Sequence, residues 1–421
     1  MRKQLLTMLV IVAGCLSVLT MHAQDYYVGG DISLLQRYND YNVPYYDQQG
    51  KSINDVLAYM KSDAVGWNAQ RVRLFVNPTP SIDDNDPAIC QDLDYVIRLG
   101  KRIKDAGFAF MLDFHYSDSW ADPSKQWTPV AWQSLNDAQL QTQIYDYTKT
   151  CLQKLVEAGA TPNFIQTGNE ISYGMLWGAK GSQDNRCYTS SSANWSRFIA
   201  LLNQATKACR EVCPKAKIII HTERTGEPET TKAIYQKLAG VDYDVIGLSY
   251  YPFWHKSLTV LATTLTQLAT AFPDKKVQIV ETAYYYQWKP TTGVIWNSFS
   301  VWPDTEAGQA AYARDLVAEL KKHDNVNGLY WWFAEENGNG NWPDNIVIRE
   351  WVNRGLWNNS SHRALPALYE LKEFVNRPGS DIGGITYRVP DGRWYTLSGM
   401  LLDTPPQRPG LYIHDGQKVI K

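Results

Sequence analysis

The chain has 421 residues, enough for one large domain with an appendage, and its formal charge of −2 excludes the basic face that a nucleic-acid backbone needs. Its 26 Tyr and 16 Trp outnumber its 11 Phe, so most rings carry a polar handle that suits the flat faces of sugars as well as a core. Residues 1–23 read as a secretory signal peptide: Met1-Arg2-Lys3, an apolar run from Leu5 to Leu19, then Met21-His22-Ala23 as a small-residue cleavage site before Gln24. A lipoprotein signal ending at Val12-Ala13-Gly14-Cys15 is the weaker reading, because the apolar run continues past Cys15. Either way the protein is expected to be exported, and to be secreted, periplasmic or cell-surface associated in a Gram-negative bacterium. No later segment is apolar enough to span a membrane. Removing the signal takes Cys15 and leaves Cys90, Cys151, Cys187, Cys209 and Cys213, an odd number, so at least one thiol is unpaired. Cys209 and Cys213 lie one helical turn apart with no His or second Cys pair nearby, which favours buried thiols over a metal site.

From there, eight short apolar segments alternate with amphipathic stretches: Tyr26–Gly30, Gln70–Phe75, Phe108–Phe114, Phe164–Thr167, Ile218–His221, Val245–Ser249, Val277–Val280 and Gly328–Trp332. Eight buried parallel strands separated by helices predict an α/β fold, a (β/α)8 TIM barrel over residues 24–378. Gly and Pro mark the boundaries, as in Ala158-Gly159-Ala160-Thr161-Pro162 before the fourth strand. Polar and aromatic residues gather after the strands, which marks the functional rim. The long stretch from Tyr284 to Pro303 follows the seventh strand and is expected to shape the cleft. After Asn376-Arg377-Pro378-Gly379-Ser380 the pattern turns to short strand-like runs, so residues 379–421 form a β-rich tail that sorts the protein or packs on it. With Leu397-Ser398-Gly399 and Gly410-Leu411-Tyr412-Ile413, it resembles the tails of many exported bacterial proteins.

Glu170 closes the fourth strand and Glu281 the seventh, where a parallel barrel places its catalytic groups. Acetal cleavage needs one carboxylic acid to protonate the leaving oxygen and one carboxylate to attack the anomeric carbon, and these two could supply both. Asn169, beside Glu170, is placed to grip a sugar hydroxyl. Arg71 and Arg73 face the same side of the second strand. One of them should hold Glu281 ionised, and Arg73, at the strand end, is the candidate. Tyr250 is the candidate for a hydroxyl doing the same. His115, Tyr116, Ser117, Asp118, Trp120 and Asp122 form a polar-aromatic loop after the third strand, with Trp120 as a platform for a pyranose and the aspartates as acceptors. His115 has no second ligand at metal spacing, so it is read as a hydrogen-bonding group, and Trp332 completes the site at the eighth strand.

Several motifs together resemble glycoside hydrolase family 53, the endo-β-1,4-galactanases of arabinogalactan and pectic galactan. They are Gly29-Gly30-Asp31-Ile32-Ser33, Arg71-Val72-Arg73-Leu74-Phe75-Val76-Asn77, His115 to Pro123 with Gln126-Trp127, Gln166-Thr167-Gly168-Asn169-Glu170-Ile171, Ile246 to His255, and Val280-Glu281-Thr282-Ala283-Tyr284. The resemblance covers about residues 26 to 375 and implies a retaining double displacement with Glu170 as acid/base and Glu281 as nucleophile. It also implies β-1,4-galactan or a galacto-oligosaccharide as partner; no cofactor is expected, and a monomer is the expected working unit. Some bacterial relatives carry an Asp- and His-rich calcium loop after the nucleophile. Here Tyr284 to Trp296 offers no carboxylate, so no metal is expected there. The alternatives are a related barrel glycosidase acting on mannan or xylan, and a non-catalytic surface protein that binds glycans through the same aromatic cleft.

Overall fold

The computed structural model describes residues 26–290, 292–338 and 351–376, and short pieces of the tail between 394 and 420. The signal peptide expected at residues 1–23 lies outside the described residues.

Eight parallel strands close a barrel in sequence order: β1 (Tyr27–Asp31), β2 (Ala69–Leu74), β3 (Ala109–Phe114), β4 (Phe164–Thr167), β5 (Lys217–Thr222), β6 (Val245–Ser249), β7 (Lys276–Thr282) and β8 (Val326–Trp331). Closure is made by β1 on β8, with Tyr27 opposite Gly328 and Val28 opposite Leu329. Each strand overlaps one of the apolar segments read from the sequence. Helices such as Leu93–Asp105, Asp137–Glu157 and Ser192–Val212 lie between them, started by side-chain caps. Asn136 and Gln139, for instance, form a reciprocal capping box.

Alternation along each strand divides the barrel interior into two layers. Ala69, Met111, Phe164, Ile219, Val245 and Val280 belong to an apolar floor. Two residues further along their strands stand Arg71, Asp113, Gln166 and His221, all completely buried. The interior therefore changes from hydrocarbon to hydrogen-bonding groups within one strand repeat, on the way to the C-terminal rim. Space for them comes partly from Gly247, where an added Cβ would stand 2.6 Å from Ile219 Cγ2.

β7 breaks the alternation. Its register against β6 passes from Leu248 opposite Ile279 to Ser249 opposite Glu281, a bulge that holds one extra residue. Val280 joins the apolar floor and Glu281 joins the polar layer above it, although they are neighbours in sequence.

In the tail, β9 (Trp394–Thr396), β10 (Leu401–Leu402), β11 (Leu411–His414) and β12 (Gln417–Ile420) form an antiparallel sheet of order β10-β9-β11-β12. Among the described residues no helix is long and apolar enough to cross a membrane. Cys90, Cys151, Cys187, Cys209 and Cys213 are all free thiols, and all but Cys90 are buried.

Candidate active site

A cleft of about 640 Å3 opens at the C-terminal rim, lined among others by His115, Trp120, Asp122, Asn169, Glu170, Glu281 and Trp332. Glu170 and Glu281 thus share one cavity, but their surroundings differ.

Glu281 Oε1 pairs with Arg71 Nη2 at 2.9 Å, and its Oε2 accepts a hydrogen bond from the Tyr251 hydroxyl at 3.0 Å. Arg71 is anchored below by Asp31 and Asp113, each at 2.8 Å. Burial raises the Glu281 carboxyl to about 7, against the pull of the Arg71 guanidinium and the Tyr251 hydroxyl. Asp113, between Arg71 and His115, is held below the usual range despite its burial.

Among the described residues no cation pairs with Glu170. Its Oε1 accepts from the Ser249 hydroxyl at 2.5 Å. Burial lifts its carboxyl well above the usual range, and the negative charges of Glu281 and Glu223 add to the effect. Of the two coupled acids, Glu281 therefore gives up its proton first and Glu170 keeps one.

Local backbone presents Glu170 at some cost. Gly168 takes φ 101°, and Glu170 itself is left-handed at φ 48°, ψ 52°. A left-handed conformation costs a non-glycine residue on the order of 1–3 kcal/mol and persists only where the surroundings enforce it. His221 Nδ1 accepts from the Glu170 N–H at 3.3 Å and makes a 3.1 Å contact with Gln166 Nε2. His221 Nε2 lies 2.9 Å from Ser249 Oγ, so the tautomer that satisfies these contacts carries its proton on Nε2 and frees the serine hydroxyl for Glu170. Burial and the Arg71 charge keep His221 neutral.

Asn169 Oδ1 accepts from Arg71 Nη2 at 2.9 Å, and its Nδ2 donates to the Ala121 carbonyl at 2.8 Å. With the oxygen committed to the protein, one N–H remains to donate into the cleft. His115 accepts from the Ala121 N–H at Nδ1, 3.1 Å away, and sits 3.1 Å from Asp113 through Nε2. Trp120 is fixed by donating to Asp86 Oδ2 at 2.7 Å, while Asp122 lies at the cleft edge beside Ser124 and Lys125.

Other expected residues lie elsewhere. Tyr250 does not reach Glu281: it points away from the barrel interior, and its hydroxyl donates to the Lys256 carbonyl at 2.9 Å. Ser249 faces inward, so alternation turns Tyr250 out and Tyr251 in. The same rule sends His115 inward and Tyr116 outward, where Tyr116 stacks on Phe114 and hydrogen-bonds Thr148 at 2.8 Å. Ser117 and Asp118 are not cleft residues either. Asp118 accepts from the N–H groups of Asn77 and Val130, and Ser117 braces the same loop. Arg73 pairs with Asp31 at 3.1 Å and lies between the rings of Trp120 and Phe333, 4.6 and 4.7 Å from their centroids. It is one strand repeat beyond Arg71, and it supports Trp120 rather than touching Glu281.

Sequence reasoning missed Tyr251, Ser249, His221 and Glu223, and also Trp254 and Trp351 of the aromatic wall. Alternation from Ser249 would have found Tyr251. Trp351 packs at a tilt 4.2 Å from Trp332, and its ring lies 3.7 Å from the Arg354 guanidinium, contacts that no local pattern reveals. Between Tyr284 and Pro303, Ile295 reaches the cleft, held by its N–H to the Phe253 carbonyl at 2.8 Å. No group of three His, Cys, Asp or Glu suited to a metal ion occurs among the described residues.

One acid that keeps its proton and one that sheds it, in an aromatic-lined cleft at the strand-end rim, meet the demands of acetal hydrolysis, and the class they define is the glycoside hydrolases. Within that class the chain belongs to glycosyl hydrolase family 53, which its residues 27–371 match. It is 31% identical over 368 residues to an arabinogalactan endo-beta-1,4-galactanase of Cellvibrio japonicus, covering 82% of this chain and 90% of that protein. An endo-beta-1,4-galactanase of Bacillus subtilis is 29% identical over 317 residues, with 73% and 70% covered. The GH53 catalytic domain of Ignisphaera aggregans superposes with a TM-score of 0.72 at 30% identity, covering 84% of this chain and 97% of that one.

Proposed function

We propose that this hydrolase cleaves β-1,4-galactosidic bonds within galactan and type I arabinogalactan, with retention of anomeric configuration, Glu281 as nucleophile and Glu170 as acid/base. The observation that carries the assignment of roles is the asymmetry of the pair: an arginine and a tyrosine hydroxyl on Glu281, a single serine hydroxyl on Glu170. The names of the relatives support the substrate.

In the first step Glu281 attacks the anomeric carbon while Glu170 delivers its proton to the departing glycosidic oxygen. Arg71 and Tyr251 keep the attacking carboxylate charged until it is neutralised by forming the glycosyl ester. In the second step the now ionised Glu170 removes a proton from water, which displaces Glu281 and returns the site to its starting state. The free N–H of Asn169 donates to the sugar 2-hydroxyl beside the reacting carbon, and Trp120 and Trp332 offer apolar faces to the ring. The protein works as an exported monomer, its first 23 residues removed as a signal.

The test is a product assay of residues 24–421 on linear β-1,4-galactan, with β-1,4-mannan, xylan and β-1,3-galactan as controls. Short galactose oligomers from the first alone are expected. Cleavage of mannan or xylan instead would discard the substrate. Binding of galactan without cleavage would favour a glycan-binding protein. Glu281→Gln should abolish turnover yet still bind oligosaccharide by calorimetry, and unchanged turnover would sink the mechanism.

A further inference from the structure

Beside Glu170 stands a third carboxyl that the double displacement does not use. Glu223 immediately follows β5 and lines the cleft with only 6% of its surface exposed. One of its oxygens accepts from the Ser172 hydroxyl. The other is buried and has no hydrogen-bond partner among the described residues. A fold rarely retains such a group without a use for it.

Its neighbour Arg224 reaches the same place. Arg224 Nη1 donates to the Tyr173 hydroxyl at 2.7 Å, and Nη2 is anchored on both oxygens of Glu227 at 2.6 Å. Ser172 and Tyr173 belong to the short turn Ile171–Tyr173, which starts from the left-handed Glu170. Two consecutive residues at the end of β5 thus clasp Ser172 and Tyr173, the second and third residues after the proposed acid at the end of β4. The clasp bears on Glu170 and not on Glu281, which is held by Arg71 and Tyr251. The Glu223 charge helps raise the Glu170 carboxyl, while burial pushes Glu223 itself up to about 7.

We propose that Glu223 is a positioning residue for the acid step: it grips the turn that presents Glu170 and sets a carboxylate charge beside it, so that the proton reaches the leaving oxygen. The inference rests on the retaining reading above, with Glu170 as acid. It concerns protonation of the leaving group and not binding of the sugar chain. Its signature is therefore dependence on leaving-group basicity, because a dinitrophenolate departs without a proton and a sugar alkoxide does not.

Two variants divide the device. Glu223→Gln keeps an oxygen for Ser172 and removes the ionisable carboxyl; Ser172→Ala removes the grip and keeps the carboxyl. Each is assayed on a galacto-oligosaccharide and on the matching 2,4-dinitrophenyl β-galactoside, with the melting temperature followed in parallel. General acid assistance is worth about 10²–10⁴-fold, so mispositioning the acid should lower kcat/KM on the oligosaccharide by about 10–100-fold and on the dinitrophenyl substrate by less than about 3-fold. A leaving-group-selective loss in either variant supports the proposal and identifies which half matters. Equal losses on both substrates, or none, in both variants would overturn it. The wild-type chain separates this from the substrate assignment: if it cleaves another β-glycan, the same ratio is measured on that glycan and its dinitrophenyl glycoside.

Discussion

Replacing Tyr251 by Phe removes one hydroxyl and leaves the ring that packs against Trp254 and Trp351 in place. The lost bond is the 3.0 Å donation to Glu281 Oε2. A hydrogen bond to a charged group is worth about 1.5–3 kcal/mol, and one pKa unit corresponds to about 1.36 kcal/mol. Because the hydroxyl favours the ionised carboxylate, its removal raises the Glu281 pKa, by about 1–2 units on that scale. Glu281 must be ionised to attack, so the acidic limb of the kcat/KM profile moves to higher pH by that amount. At a pH below the limb, activity falls by about 10–100-fold, and near the optimum it falls less. The assay is kcat/KM on galactan from pH 4 to 9, with Tyr250→Phe in parallel. The Tyr250 hydroxyl serves the Lys256 carbonyl, so that variant should keep its acidic limb and lose about 1 kcal/mol of stability. An unmoved limb in Tyr251→Phe, or a moved one in Tyr250→Phe, would refute the account of how Glu281 is kept charged.

Ser249→Ala removes the hydroxyl that favours ionised Glu170, so the alkaline limb of kcat/KM should move to higher pH and the opposite shift would contradict the proposed pairing. Glu335, buried and held by the Leu34 N–H at 2.6 Å, has its carboxyl pushed up to about 8 by burial. A carboxyl raised on folding stabilises the native state below its unfolded pKa near 4.3, and that contribution is lost as pH rises toward its folded value. Glu335→Gln should therefore gain on the wild type in chemical denaturation between about pH 4.5 and 8; a difference independent of pH would rule this out. Chelator treatment should leave the melting temperature unchanged, because the segment from Tyr284 to Trp296 contains no carboxylate; a fall of many degrees, reversed by calcium, would show otherwise.

The barrel was legible because each parallel strand is buried on both faces and so reads as a compact apolar run between helical stretches. The positions of Glu170 and Glu281 were legible for the same reason, since both stand where such runs stop. What failed was direction. Tyr250 and Tyr116 were adjacent to the right residues but on the wrong side of a two-residue period, and Ser249 and Asp113 were the reference points that would have corrected them. Arg73 had the right direction and the wrong depth. At Glu281 simple alternation is no guide, because the bulge in β7 turns Val280 and Glu281 into the barrel together. A bulge is set by pairing with neighbouring strands, which a single segment does not display. Trp351 and Arg354 enter the wall from the chain beyond β8, so their part depended on tertiary folding alone.

The layer of buried polar groups inside the barrel has a consequence for how this scaffold can change. Arg71, Asp113, Gln166, His221 and Ser249 sit on the strands themselves, and through them both glutamates hang from one hydrogen-bonded lattice. The loops above contribute platforms such as Trp120 and Trp351, and to the suspension only residues close to the strand ends, namely Tyr251, Asn169 and the turn gripped by Glu223 and Arg224. Chemistry and glycan preference are thus mechanically separable. An engineer could exchange the outer parts of the surface loops to accept a different polymer and leave the strand-borne lattice undisturbed, whereas a substitution in the lattice acts on the scaffold for every substrate at once.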